Sequence, residues 1–308
     1  MENKSYKVLA RKYRPKKLSE IIGQEETCKI IKGSIKLNRL PHAFLFSGTR
    51  GVGKTTIARI ISKIVNCEKI DLSNPEPCGE CASCISISEE KNMDVVEIDA
   101  ASRTGVADVR EIIENLNYKA VEVKKKIYII DEVHMLSKAA FNALLKTLEE
   151  PPEDIIFIFA TTETDKIPVT IMSRCQKFEL RRIDTSILSD FLIEVSKKED
   201  FKLGEESALL ISQASEGSVR DALSILDNVL SRGTPILLDI VKEVLGLSDN
   251  NLVIDLFEYL CEGDIKKALL KFEEIYTKGA SLDILAKMLM NICFHTIKLK
   301  SGLEKKTF

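Results

Sequence analysis

A glycine-rich segment, GTRGVGKT, limits this 308-residue chain to a small set of folds. It runs from Gly48 to Thr55 and fits the pattern G-x-x-x-x-G-K-[ST]. Such a loop needs a strand before it and a helix after it, because its backbone N–H groups wrap phosphates at a helix N-terminus. The apolar run Ala43–Ser47 and the periodic segment Thr55–Asn66 supply that context. The segment therefore predicts a parallel α/β sheet that binds a nucleoside triphosphate.

The residues of this loop have separate expected roles. The ammonium group of Lys54 is expected to reach the β- and γ-phosphates, and the hydroxyl of Thr55 to hold Mg²⁺. A chance match to the pattern is disfavoured, because a strand, a helix and a downstream acidic pair all accompany it. The residues expected to contact the nucleotide form one continuous segment: Gly48, Thr49, Arg50, Gly51, Val52, Gly53, Lys54, Thr55 and Thr56.

The acidic pair lies in the segment IYIIDEVH, where an apolar run ends in Asp131 and Glu132. Open α/β sheets bind ligands at the carboxyl ends of their strands, which is where this pair falls. Asp131 is suited to the Mg²⁺ shell, and Glu132 to polarising an attacking water molecule. Together with Lys54, the pair predicts hydrolysis of the nucleotide and not binding alone.

Short apolar runs alternate with longer periodic segments as far as Arg182, which is typical of a parallel α/β sheet. Strands are predicted at Ala43–Ser47, Val95–Ile98, Ile127–Ile130, Ile155–Ala160 and Gln176–Leu180. The helices predicted between them are Thr55–Asn66, Val106–Asn117, Lys138–Glu149 and Pro168–Met172. Beyond Arg182 only helices are predicted, at Thr185–Lys198, Glu205–Ser215, Ser218–Leu230 and Pro235–Leu245, with further helical pattern from Ser248 onward.

Four of the eight cysteines fall in one stretch, CEKIDLSNPEPCGECASC, which runs from Cys67 to Cys84. The N-terminus lacks the apolar core of a secretory signal, and the apolar runs are too short for a membrane span. A cytoplasmic protein without a membrane partner is therefore expected. Thiols stay reduced in that compartment, so the cluster favours a metal over disulfides. Its spacing fits either structural zinc or an iron–sulfur cluster. The remaining cysteines are interpreted as small buried apolar residues: Cys28, Cys175, Cys261 and Cys293.

Charge gives a weaker signal than the motifs. The net charge of −2 and the pI of about 6.1 argue against nucleic-acid binding by the chain as a whole. One basic stretch runs from Lys4 to Lys17. Judged from its charge alone, this stretch is best interpreted as a solvated basic arm. Any contact with nucleic acid is therefore expected to come from local features.

Several motifs together resemble the AAA+ clamp-loader ATPases, in particular the gamma/tau subunit family of bacterial DNA polymerase III. The matching segments are VLARKYRPKKLSEIIGQEE, HAFLFSGTRGVGKTTIAR, EIDAASRTGVADVRE, IIDEVHMLSKAAFNALLKTLEEPPE, PVTIMSRCQKFEL and EGSVRDALSILD. They lie between about residues 5 and 227, and their combination is highly specific. Beyond about residue 245 the similarity is only a generic helical pattern.

The resemblance implies three domains. An AAA+ P-loop domain with a parallel sheet would occupy residues 1–182 and carry a zinc insertion at about 67–84. A helical lid domain would follow at 183–246. Residues 247–308 would begin a helical collar through which subunits assemble, and about 60 residues look too few for a whole collar. As an insertion, the zinc module is expected to unfold without much effect on nucleotide binding.

The resemblance also implies roles for residues that carry little signal alone. Arg174 resembles an arginine finger that acts on a neighbouring subunit's ATP, Arg220 a lid residue on the γ-phosphate, and Thr162 a sensor at a strand end. The segment KYRPK resembles a box that folds over the adenine. The zinc ligands map to Cys67, Cys78, Cys81 and Cys84. Contact with DNA is expected from exposed helix starts, at Ser102, Arg103, Thr104, Gly105, Ser137 and Lys138.

The implied function is that of an ATP-hydrolysing clamp-loader motor subunit with ATP, Mg²⁺ and structural Zn²⁺ as cofactors. Expected partners are the other subunits of a pentameric ring, the sliding clamp and primer–template DNA. The polymerase and the helicase would be partners only through a longer C-terminal tail. Two alternatives are a non-hydrolysing structural subunit of the same assembly and another AAA+ DNA-remodelling ATPase. The intact loop and acidic pair disfavour the first, and the Ser-Arg-Cys motif and zinc insert the second.

Overall fold

The computed structural model describes residues 6–102, 105, 109, 111, 113–114, 116, 120–233, 236–245, 250–277 and 282–302, with the backbone alone at 250, 251, 283, 284 and 287. The chain divides into two compact units. The first comprises Met1–Phe191 and Ser215–Ser224, and the second comprises Leu192–Ala214 and Ile225–Phe308.

The first unit is built on a five-stranded parallel sheet, as the sequence predicts. Its strands are β1 (Ala43–Ser47), β2 (Val95–Asp99), β3 (Lys126–Asp131), β4 (Ile155–Thr161) and β5 (Gln176–Glu179). Their spatial order is β2-β3-β4-β1-β5, and every neighbouring pair is parallel. The strand β4 therefore lies between β1, which leads into the phosphate loop, and β3, which ends at the acidic pair. This order brings the two motifs to the same edge of the sheet.

Eight α-helices begin in the described part of the first unit. Seven of them are α1 (Leu9–Lys12), α2 (Glu25–Lys36), α3 (Lys54–Asn66), α4 (Ala82–Ser88), α5 (Lys138–Glu149), α6 (Val169–Met172) and α7 (Thr185–Lys198), and the eighth, Val219–Leu230, is numbered with the second unit below. The helices α3 and α5 confirm the sequence-based prediction, whereas α2 and α4 were not predicted. The predicted helix Val106–Asn117 lies largely outside the described residues, among which Val109 and Leu116 are buried.

The core forms on both faces of the sheet, because alternate residues of each strand point to opposite faces. In β4, Ile156 and Ile158 pack with residues of α3, such as Ile57. Phe157 and Phe159 face the other way and pack with residues of α5. Burial on both faces explains why the three central strands, β1, β3 and β4, are largely apolar runs, whereas the edge strands β2 and β5 also carry exposed polar residues.

In the described part of the second unit the regular elements are helices, joined by turns, with one isolated parallel bridge between Leu203 and Ile236. Its helices, including those that continue from the first unit, are α7, α8 (Glu205–Ala214), α9 (Val219–Leu230), α10 (Leu238–Val244), α11 (Asn250–Glu262), α12 (Ile265–Thr277) and α13 (Leu282–Lys300). The last three share a small apolar cluster around Leu256, Ala268 and Leu285. Among the helices in the described part of the chain, none combines the length and apolar character that a membrane crossing needs.

The cysteines outside the cluster only partly match their interpretation as buried residues. Cys28 is buried in α2, and Cys175 is half-buried. Cys261 and Cys293 are exposed, because they lie on the outward faces of α11 and α13. For these two residues the interpretation was wrong.

Candidate active site and metal centre

The phosphate loop connects β1 to α3 in a conformation that requires glycine. Gly51 has φ +79° and Gly53 has φ +108°, both in the region that side chains rarely adopt. A Cβ at Gly51 would lie 2.0 Å from Oγ of Ser218, the residue just before α9. The loop therefore packs closely against the start of α9 within the first unit. A side chain at position 51 would therefore displace either the phosphate loop or the start of α9.

Lys54 is nearly buried at the first position of α3. Its Nζ donates hydrogen bonds to the carbonyl oxygens of Gly48, at 2.9 Å, and Thr49, at 3.0 Å. Burial lowers the pKa of Lys54, and the nearby carboxylates of Glu132 and Asp131 oppose this shift. A buried cation held by loop carbonyls is well suited to bind an anion that enters the loop.

Thr55 and Asp131 are 76 residues apart in sequence and in direct contact in the structure. The Thr55 hydroxyl donates a hydrogen bond of 2.8 Å to Oδ2 of Asp131. Oδ1 of the same carboxylate accepts the backbone N–H of Glu132, at 3.0 Å. A hydroxyl and a carboxylate oxygen at this spacing form a hard oxygen donor set of the kind that Mg²⁺ prefers. These two residues therefore fit a magnesium site.

Glu132 has a strained backbone and a well-held carboxylate. Its φ of +46° lies in the left-handed region, which costs about 1 kcal/mol or more for a residue other than glycine. Its Oε2 accepts hydrogen bonds from the Thr162 hydroxyl, at 2.9 Å, and from the Thr162 N–H, at 3.2 Å. The sequence-predicted base and sensor are thus brought together.

His134 is a residue of this site that the sequence reasoning missed. Its Nδ1 lies 3.0 Å from Oγ1 of Thr161 and 3.4 Å from Oε2 of Glu132, and its Nε2 lies 3.2 Å from Oε1 of Glu163. The imidazole side chain is 6% exposed, so these contacts fix its ring. The only sequence signal was a histidine two positions after the expected base. Its contacts with Thr161 and Glu163 depend on the pairing of β3 with β4, which the sequence does not show.

The cleft above the loop is lined by both charged and apolar side chains. The loop residues from Arg50 to Thr56, together with Asp131 and Glu132, form one part of its lining. The remaining lining comes from the N-terminal segment and from residues around α7 and α9: Ala10, Tyr13, Arg14, Pro15, Glu20, Ile21, Ile22, Phe191, Val219, Arg220 and Leu223. Burial lowers the pKa of Arg14, and the like charge of Arg59 lowers it further. A cleft that combines apolar side chains with the cationic side chains of Arg14, Lys54 and Arg220 fits a base linked to phosphates.

Arg174 lies outside the lining of this cleft. Its guanidinium contacts the carboxylate of Glu149, at 2.5 Å, and donates to the carbonyl oxygen of Thr170, at 2.6 Å. The arginine is partly exposed and follows α6 at the surface. The structure thus brings Arg220, but not Arg174, to the chain's own nucleotide cleft.

The candidates for DNA contact lie at the surface where they are described. Ser137 is exposed and caps α5, since its hydroxyl accepts the N–H of Ala140 at 3.2 Å. Lys138 is exposed at the first position of that helix, and Ser102 is exposed after β2. Gly105 is half-exposed. Two further candidates, Arg103 and Thr104, lie outside the described residues.

The four clustered cysteines converge on one point. All four Sγ atoms lie within 4.8 Å of one another, and those of Cys78 and Cys84 are 3.9 Å apart. A tetrahedral zinc ion with metal–sulfur bonds of about 2.3 Å needs sulfur atoms about 3.8 Å apart. In a four-iron cluster the thiolates bind four different iron atoms, which spreads them further apart. The geometry therefore fits a single metal ion.

Backbone N–H groups surround this cysteine cluster. The N–H groups of Cys78, Cys81 and Cys84 point at Sγ atoms of Cys67, Cys78 and Cys81, at 3.5, 3.3 and 3.4 Å. Such contacts favour thiolates, and the backbone N–H of Glu80 contributes most to lowering the pKa of Cys78 to about 6. Cys81 caps α4 and Cys84 lies in the first turn of this helix, which the sequence reasoning treated as loop.

Comparison with known proteins places these features in a family. A profile described as "DNA polymerase III, delta subunit" matches residues 23–184, and one described as "DNA polymerase III clamp loader subunit, ATPase lid domain" matches residues 188–234. A third, "DNA polymerase III subunits gamma and tau domain III", matches residues 236–307. The DNA polymerase III subunit gamma of Buchnera aphidicola subsp. Schizaphis graminum is 43% identical, over 96% of this chain and 82% of that protein. This chain belongs to the DNA polymerase III gamma/tau family.

Other relatives of this gamma/tau family member agree with the assignment. The tau/gamma subunit of Haemophilus influenzae is 46% identical over 84% of the chain, and the tau subunit of Escherichia coli is 41% identical over 91%. The aligned part spans only 38% and 44% of the length of these two relatives. Among solved structures, the RuvB Holliday junction branch migration motor of Thermotoga maritima matches with a TM-score of 0.55 at 22% identity, over 81% of this chain and 80% of that one. That likeness supports the fold alone, which is the AAA+ fold.

Proposed function

We propose that this chain is an ATP-hydrolysing motor subunit of the bacterial DNA polymerase III clamp loader. In this proposal it opens the sliding clamp and loads it onto primer–template DNA during replication. The observation that carries the proposal is the contact between Thr55 and Asp131, at 2.8 Å, beside Lys54 and Glu132 in one cleft. A cleft that only bound nucleotide would have no use for a carboxylate held next to a metal site.

The residues of the cleft have separate roles in phosphoryl transfer. Lys54 holds the β- and γ-phosphates, and the loop N–H groups orient them. Thr55 and Asp131 hold Mg²⁺, which neutralises charge on the phosphates when bound. Glu132 accepts the proton of the water molecule that attacks the γ-phosphate, and the Thr162 hydroxyl holds the carboxylate in position. Arg220, on α9, contacts the γ-phosphate from the same chain.

Arg174 acts on the ATP of a neighbouring subunit in this proposal. Its place at the surface, outside its own cleft, is what an arginine supplied to another chain requires. The other clamp-loader subunits of a pentameric ring are therefore partners, along with the clamp and DNA. The exposed start of α5, at Ser137 and Lys138, offers backbone N–H groups to the DNA phosphates, and Ser102, Arg103, Thr104 and Gly105 are the second group of candidates for DNA contact. We propose the cytoplasm as the compartment.

The domain assignment follows the same proposal. Residues 1–182 form the nucleotide-binding domain and residues 183–246 the lid. Residues 247–308 begin the collar, and the exposed apolar side chains of Phe294 and Ile297 in α13 are consistent with an assembly surface.

The test is ATP turnover in the assembled loader, measured with and without clamp and primed DNA. We expect the two ligands together to stimulate hydrolysis and Lys54→Ala to abolish the stimulation. A loader that assembles fully but hydrolyses ATP at the same rate with and without both ligands would contradict the proposed function.

The metal centre is proposed to hold one Zn²⁺ per chain through Cys67, Cys78, Cys81 and Cys84. Four thiolates close the coordination sphere, so the ion stabilises the module and takes no part in hydrolysis. Freshly purified protein is expected to contain one zinc per chain by elemental analysis. Cys81→Ser is expected to lose it, whereas the matched variant Cys261→Ser, at an exposed position, keeps it. Iron in place of zinc, or no metal in fresh protein, would contradict the assignment.

A further inference from the structure

Glu76 belongs to the segment Cys67–Cys84, which we call the cysteine module, but makes its main contacts outside this segment. It lies between Cys67 and Cys78, and its side chain is 11% exposed. Its Oε2 accepts the N–H of Leu18, at 2.8 Å, and its Oε1 accepts the N–H of Ser19, at 3.0 Å. The ammonium of Lys32, in α2, lies 2.5 Å from Oε1. One carboxylate thus binds two backbone donors and a cation of the nucleotide-binding unit.

The two backbone donors begin a short 3₁₀ helix, Leu18–Glu20. The first N–H groups of a helix lack partners within the helix, and a carboxylate stabilises them by hydrogen bonds and by its charge. Here that carboxylate comes from a residue 58 positions further along the chain. The start of this helix is therefore held by the cysteine module.

This 3₁₀ helix leads directly into the nucleotide cleft. Glu20, Ile21 and Ile22 line the cleft on one side of Leu18, and Arg14 and Pro15 line it on the other. Leu18 itself is 1% exposed and packs in the same apolar cluster as residues of α3. A shift of its backbone would move the lining residues on both sides.

The module, in turn, holds Glu76 through a rigid connection. Pro75 and Pro77 flank it, both are buried, and proline fixes the backbone angle φ. Cys78 follows at once and lies in the thiolate cluster, so an ion bound there would fix the position of the loop that presents Glu76.

We propose that Glu76 is a positioning residue through which the cysteine module sets the nucleotide affinity of the cleft. The proposal rests on the proposed function in one respect, that the cleft binds ATP. It departs from the sequence-based expectation that loss of the module leaves nucleotide binding largely intact. Glu76 contacts Leu18, Ser19 and Lys32, none of which is assigned to the chemical step, so we expect it to act on affinity and not on hydrolysis.

The first test compares two carboxylates of the same module in the full chain. Glu76→Gln removes the charge and puts an amide where two N–H groups donate. By titration we expect its ATP affinity to fall about 3- to 10-fold, because about 1 kcal/mol of the interaction free energy lost with the charged contact should appear as weaker nucleotide binding. Turnover at saturating ATP and zinc content should stay unchanged. The control is Glu80→Gln, 73% exposed, which should bind ATP as the unmodified chain does.

The second test adds removal of the metal. After a chelator has stripped the ion, and once the chelator is removed and Mg²⁺ restored, ATP binding should be weaker by a similar factor in the unmodified chain and unchanged further in Glu76→Gln. Lys32→Met, which removes the cation beside the carboxylate, gives a second variant should Glu76→Gln fail to fold, and we expect it to weaken binding in the same direction.

Two results would overturn the inference: unchanged ATP affinity in Glu76→Gln, or equal further weakening by the chelator in both chains. The variant Lys54→Ala distinguishes a failure of the proposed role of Glu76 from a failure of the proposed ATP-binding function. If Lys54→Ala also binds ATP normally, the cleft assignment fails. If it loses binding while Glu76→Gln does not, only the role of Glu76 fails.

Discussion

Arg174→Ala is expected to bind ATP normally as an isolated chain and to lose about 10³- to 10⁵-fold in DNA-stimulated turnover within the assembled ring. The reason is its position: the guanidinium contacts Glu149 and Thr170 at the surface and does not line its own chain's cleft. An arginine supplied to a neighbour's γ-phosphate stabilises charge that develops only during transfer. Binding by titration and hydrolysis in the assembled loader, measured on the same preparation, check both halves of this expectation.

A mixing experiment tests whether Arg174 acts on the neighbouring subunit. Chains with Arg174→Ala and chains with Lys54→Ala each lack a different half of one shared site. Rings that contain both should regain turnover at interfaces where an intact Lys54 meets an intact Arg174. If mixed rings demonstrably form and no turnover returns, Arg174 serves its own subunit or the ring's structure.

Glu132→Gln is expected to bind ATP and to lose about 10²- to 10⁴-fold in hydrolysis, the usual range for removal of a general base. The amide keeps the size of the side chain and can still accept from the Thr162 hydroxyl, but it cannot take a proton from water. Lys54→Ala should instead lose affinity for ATP, because the buried cation that faces the loop is gone. Titration and single-turnover hydrolysis of both variants separate these effects.

The matched control for Glu132→Gln is Glu26→Gln, an exposed carboxylate on α2. It should bind and hydrolyse ATP as the unmodified chain does. Equal ATP affinity in Glu132→Gln and Lys54→Ala would contradict the division of roles between base and phosphate ligand. Full hydrolysis by Glu132→Gln would move the base to another residue, for which His134 is the nearest candidate.

Local pattern predicted the elements that depend on local physics. The phosphate loop, the five strands and the start of α9 agree with expectation, and Ser218 accepts the N–H of Asp221 as a capping residue should. The helix α4 was missed for a local reason too. It has only seven residues, rich in serine, and its cap is the thiol of Cys81, which is not among the usual capping groups.

The chemistry of the chain can be predicted from short segments, since the phosphate loop, the acidic pair and the cysteine cluster each lie within one of them. Which distant residues meet depends on the fold. The order β2-β3-β4-β1-β5 brings Thr55 to Asp131, and the cysteine module brings Glu76 to Leu18. The fold also places Arg174 outside the nucleotide cleft of its own chain. Hydrogen bonds and ion pairs depend on distances at the ångström scale. Strand order and the paths of loops set these distances, and the periodicity of a sequence does not encode them.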